Sequence, residues 1–167
     1  LLQAFPGAYG MYLCVHFGPF LDGKIDTEEK ERAYNAIVDF LDNIQDVEFP
    51  EELEEFLRQG LEHFDEEGME EINISLTNAV NNPEKYIEEN RETIETYLEF
   101  INTDEYKNSP AYKMKQILLK FQQESGYYDV FIENMKILSD SYREYYEKLQ
   151  AANRIFLEKY PDASKLY

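Results

Sequence analysis

His16, His63 and Cys14 are the only imidazole and thiol groups in this 167-residue sequence, so nucleophilic or soft-metal chemistry would have to pass through them. Cys14 and His16 stand two apart, which on a helix points them to different sides. A nucleophile–base pair would therefore need a non-helical turn near Gly18-Pro19. A zinc site wants more His or Cys than the chain has, and His63 beside Asp65, Glu66 and Glu67 would hold a metal only adventitiously. The 35 carboxylates are so abundant that no single pair is informative. A di-iron centre in a helical bundle would carry Glu-x-x-His on two helices, but the residue three before His63 is Gly60. No glycine-rich phosphate loop is present, and Asn73-Ile74-Ser75, a glycosylation triplet of a kind common by chance, is expected on a helix. These absences lead us to expect no enzyme, no metal and no cofactor.

Aromatic side chains are the remaining chemical resource: 14 Tyr and 11 Phe with no Trp. They gather in Phe5, Tyr9, Tyr12, Phe17 and Phe20, and again in Tyr106, Tyr112, Phe121, Tyr127, Tyr128 and Phe131. At helical spacing such residues are usually core. Tyrosine, apolar in body and polar at its tip, also suits a pocket for a hydrophobic or cationic small molecule. The ligand-binding candidates are Tyr9, Tyr12, His16, Phe17, Tyr112, Tyr127 and Tyr128.

Charge narrows the partners. The net −19 makes direct nucleic-acid binding improbable, because phosphate is held by Lys and Arg and acids here outnumber bases 35 to 16. Residues 22–105 hold 27 acids and 6 bases, whereas residues 106–167 hold 8 acids and 10 bases. Runs such as Glu51–Glu55 and Asp65–Glu71 read as solvated helix faces, and their field favours a cationic ligand and repels DNA. The acidic front and near-neutral back of the chain would also attract each other.

The elements that must position these residues are helices. Asp26-x-x-Glu29 resembles a capping arrangement ahead of Ala33, Ile37, Phe40, Leu41 and Ile44, which keep a 3–4 spacing. Pro50, Asn82-Pro83 and Ser109-Pro110 each open a helical segment, with Asn82 and Ser109 as N-caps. The segment from Pro83 carries Tyr86, Ile87, Ile94, Tyr97, Leu98 and Ile101; Met69, Ile72, Leu76, Ala79 and Val80 favour a helix over a strand. The clearest pattern is a four–three alternation through Phe131, Met135, Leu138, Tyr142, Tyr145, Leu149, Ala152 and Phe156. Read as one helix from near Gly126 to Pro161, it would span about 34 residues and roughly 50 Å. Phe131, Met135, Leu138, Tyr142, Tyr145, Leu149 and Phe156 then form either a core stripe or a dimer seam, and the tyrosines favour core. The expectation is an all-α bundle of six or seven helices with a long C-terminal helix, forming one domain over residues 1–167. Leu1–Leu21 has no charged residue, but Pro6, Gly7, Gly10, Gly18 and Pro19 and the missing basic flank argue against a membrane span or signal peptide. We read it as an uncharged leading segment of a piece excised from a longer chain. The single cysteine excludes an internal disulfide and fits a reducing compartment.

Three stretches carry a family resemblance: Phe5-Pro6-Gly7-Ala8-Tyr9-Gly10-Met11-Tyr12-Leu13-Cys14-Val15-His16-Phe17-Gly18-Pro19-Phe20-Leu21, Asp104-Glu105-Tyr106-Lys107-Asn108-Ser109-Pro110-Ala111-Tyr112-Lys113-Met114, and Ser141-Tyr142-Arg143-Glu144-Tyr145-Tyr146-Glu147-Lys148. Together they resemble the C-terminal effector region of MerR-type transcriptional regulators of low-GC Gram-positive bacteria. The resemblance implies a cytoplasmic, ligand-sensing domain of a homodimeric regulator. Its small-molecule effector would modulate DNA binding by an N-terminal winged helix-turn-helix that this sequence lacks. The lone Cys14 departs from the cysteine ligands of the metal-sensing branch. The alternative is a helical interaction or dimerisation module with no small ligand.

Overall fold

The computed structural model describes residues 16–21, 23–43 and 66–166, with side chains at 66–72, 165 and 166 left aside. Eight α-helices and no strands occur among the described residues. They are α1 (Glu28–Asn43), α2 (Glu66–Asn81), α3 (Pro83–Glu89), α4 (Arg91–Phe100), α5 (Asp104–Lys107), α6 (Pro110–Glu124), α7 (Glu133–Leu138) and α8 (Asp140–Lys159). A six-residue π-helical stretch, Tyr127–Ile132, leads into α7, and short 3-10 turns occupy Gly18–Phe20 and Pro161–Leu166. The architecture is all-α, with eight helices among the described residues against an expectation of six or seven for the chain.

Local chemistry explains most boundaries. Ser109 caps α6, its hydroxyl accepting the Tyr112 N–H at 3.2 Å, and Thr103 caps α5 through the Tyr106 N–H. The cap of α1 falls one residue later than expected: Thr27 Oγ1 accepts the Lys30 N–H, while Asp26 lies 3.7 Å from the Lys30 ammonium. Asn82 precedes Pro83 as expected, yet its side chain makes no capping bond, and the turn opens on proline's fixed φ. The run from Pro83 to Ile101 is broken at Asn90, whose amide donates to the Tyr86 carbonyl at 2.9 Å.

The expected long C-terminal helix is present as the 20-residue α8, but the continuous run of about 34 residues is not. Ser139 takes an extended conformation (φ −128°, ψ 112°) and divides the run into the six-residue α7 and the 20-residue α8. Its buried hydroxyl accepts the Tyr142 N–H at 3.2 Å, giving α8 a side-chain N-cap of its own. Gly126 does not begin the last helix. At φ 81° it follows Ser125, whose N–H bonds the Phe121 carbonyl, and so ends α6 in the left-handed conformation glycine favours.

The phase of the stripe survives this break. Phe131, Met135 and Tyr142 are fully buried; Leu138, Tyr145, Leu149, Ala152 and Phe156 are half-buried. The core is Phe17, Ile37, Tyr127, Phe131, Ile132, Met135 and Tyr142, flanked by Phe20, Phe40, Leu41, Leu118, Phe121, Leu138, Tyr145 and Tyr146. Helix α1 lies along α7 and the π stretch, supplying Ala33 and Ile37, while Ile44 lies outside the described residues. Helix α8 packs on α7 and, further along, on α2 and α3. Lys148 donates a hydrogen bond to the neutral Asn81 amide at 3.2 Å and Lys159 sits 3.6 Å from Glu88, so front and back segments meet there through one hydrogen bond and one ion pair.

Candidate functional site

Rings organise the centre of the molecule. Phe131 receives the edge of Phe17 at 4.9 Å and 86°, stacks on Tyr127 at 5.6 Å and 15°, and meets Phe40 at 5.7 Å. Tyr142 touches Phe17 and Phe20, each at 5.4 Å, and reaches Tyr146 at 6.1 Å. Phe20 also lies 5.1 Å from Tyr145, whose hydroxyl pKa burial raises. The leading segment, the π stretch and α8 therefore share one aromatic network.

That network treats the sequence candidates differently. Phe17 and Tyr127 are in the core. His16, half-buried beside Phe17, has its pKa lowered by burial, which disfavours the charged imidazolium. Tyr128 points outward, 46% exposed, and its hydroxyl donates to Gln122 Oε1 at 3.3 Å. Tyr112 belongs to a separate group, 5.7 Å from Tyr106, which in turn leans on Phe100. Tyr9, Tyr12, Cys14 and His63 lie outside the described residues. The structure thus joins Phe17 and Tyr127 in one core, places His16 half-buried next to Phe17 in the chain, and leaves Tyr112 apart.

Two of the surface hollows among the described residues bear on binding. One, of about 510 Å³, crosses the α7–α8 bend between Glu133, Lys136, Ile137, Arg143, Tyr146, Glu147, Gln150 and Arg154. The Lys136 ammonium lies 5.0 Å above the Tyr146 ring and 2.5 Å from Glu133, and Arg143 bonds Asp140 at 2.7 Å. The other, of about 420 Å³, joins α2 to α3 and is lined by the amides of Asn78, Asn82 and Asn90, the charged Lys85 and Glu89, and Ile74, with Ser75 and Tyr86 in hydrogen-bond contact at 3.2 Å. Neither hollow is lined by a sequence candidate. A signal for the first was present: Arg143, Glu147, Gln150 and Arg154 repeat at four–three–four spacing, a second stripe of α8 beside the apolar one.

No group of three or more His, Cys, Asp or Glu able to hold a metal occurs among the described residues, and none of their helices is long and apolar enough to cross a membrane. Comparison with protein-family models, curated proteins and solved structures returns no match, so the site is read from its own geometry.

Proposed function

We propose that the chain is a helical effector-sensing domain of a MerR-like transcriptional regulator, acting in the cytoplasm as part of a homodimer whose DNA contacts belong to an N-terminal winged helix. The observation that carries this reading is the coupling of the leading segment to the body. Phe17 and Phe20 pack on Tyr142, and Phe20 also on Tyr145, so a ligand that shifts α8 shifts the segment through which an upstream element would be pulled. Such a ligand acts only by binding two conformations unequally. The expected effector is a small molecule with an apolar body. The acidic excess that favours a cation lies in residues 22–105, whereas residues 106–167, which include the α7–α8 groove, carry a small basic excess.

The alternative is a helical interaction or dimerisation module: Phe131, Met135 and Tyr142 of its seam are buried within the same chain, whereas Leu138, Tyr145, Leu149 and Phe156 are half-buried. The deciding observation is the coding sequence directly upstream of Leu1. A winged helix-turn-helix there supports the regulator, and a different module sinks it. A thermal-shift screen supplies the second test: ligand-linked stabilisation supports a sensor, while its absence together with concentration-dependent dimerisation supports the module.

A further inference from the structure

We propose that the groove across the α7–α8 bend binds a small amphipathic organic anion, a carboxylate or sulfonate on a flat apolar body. Three lining cations, Lys136, Arg143 and Arg154, face two lining carboxylates, Glu133 and Glu147, in a chain where acids outnumber bases 35 to 16. With Asp140, which bonds Arg143, counted beside them, the groove is electrically balanced on a chain of net −19, so it is a place where an incoming anion is repelled least.

The geometry assigns parts to these groups. Lys136 comes from α7 and Arg143 from the first turn of α8, brought together because Ser139 bends the chain between them. Each already meets a neighbouring carboxylate, Glu133 and Asp140. An ammonium has three donors and a guanidinium five, so both keep N–H groups for an incoming carboxylate. Ile137 and the Tyr146 ring form the apolar wall on which a flat body rests. Arg154 stands three helical turns from Arg143, roughly 16 Å along α8, and adds attraction at the far end.

The groove also reaches the core directly. Tyr146 touches Tyr142, and Tyr142 touches Phe17 and Phe20 of the leading segment. An anion bridging Lys136 and Arg143 fixes the angle between α7 and α8. The binding claim rests on the groove alone, whereas its meaning as effector recognition rests on the sensor reading above.

The test uses 2-naphthoate as probe, with neutral 2-naphthamide and cationic 2-naphthylmethylammonium as comparators, titrated into the whole chain at low salt by calorimetry and followed by NMR. Naphthoate should bind more tightly than either comparator and shift the amides of Lys136, Ile137 and Tyr146. Arg143→Gln should weaken it about tenfold, and Gln150→Lys, at an exposed lining position, should tighten it. Equal binding of naphthoate and naphthamide, unchanged affinity in Arg143→Gln at an unchanged melting temperature, or shifts confined to other elements would each overturn the site. Hydrogen exchange of residues 16–21 separates the two ideas. Naphthoate binding at the groove without altered exchange there keeps the anion site and counts against its role as an effector.

Discussion

At the scale of single residues, Phe131 and His16 make the sharpest demands. Phe131 is 1% exposed and in contact with rings from the leading segment, α1 and the π stretch, so truncation leaves a cavity that three elements would have to close together. Phe131→Ala should cost about 3–5 kcal/mol in chemical denaturation; a loss below about 1 kcal/mol would mean the aromatic network is not the core. His16 makes a pH prediction. Burial lowers its folded-state pKa, so the unfolded chain binds more protons in the window between that value and the unfolded value near 6.5. Stability is thus fully present above about pH 6.5 and falls as pH drops toward the depressed value. As pH drops from 8 to 5, the melting temperature of the chain should fall relative to that of His16→Gln, which carries the same change in carboxylate repulsion; parallel curves would show that His16 contributes nothing.

At the scale of elements, the bend between α7 and α8 is the feature that shapes the groove. Ser139→Ala removes the hydroxyl that accepts the Tyr142 N–H and should lower stability by about 1 kcal/mol, measured by urea unfolding. Gly126 sets the other junction. A Cβ there would meet only Val130 Cγ2 at an ordinary 3.5 Å, so the cost of Gly126→Ala comes from the backbone at φ 81° and should be about 1–2 kcal/mol. A neutral result would show that this turn relaxes freely. These junctions also mark where sequence reading stopped. The alternation from Phe131 to Phe156 falls on buried positions at Phe131, Met135 and Tyr142 and on half-buried ones beyond, since side-chain period reports which way a helix points. It carried no break at Ser139, because a capping serine inside an unbroken stripe looks like any solvent-facing serine until the extended backbone is seen.

At the scale of the whole molecule, charge is the dominant fact. With net −19, like charges repel across the folded surface, and long-range pairs such as Lys159–Glu88 and Lys30–Asp140 offset only part of that repulsion. Adding NaCl from ~0.02 to ~0.3 M shortens the Debye length and should raise the melting temperature; a fall would mean that attractive pairs outweigh the self-repulsion.

The sequence by itself determined the all-helical class, the inward face of the last helical run, the Ser109 cap and the acidic front against a near-neutral back. All of these follow from composition, period and nearest-neighbour chemistry, which act locally along the chain. Only the tertiary structure decided that Phe17 and Tyr127 meet at Phe131 while Tyr112 stands apart, and that Lys136 and Arg143 face one groove. Those outcomes depend on how separate helices pack and on the bend at Ser139, and a one-dimensional pattern does not encode the distance between residues on different elements.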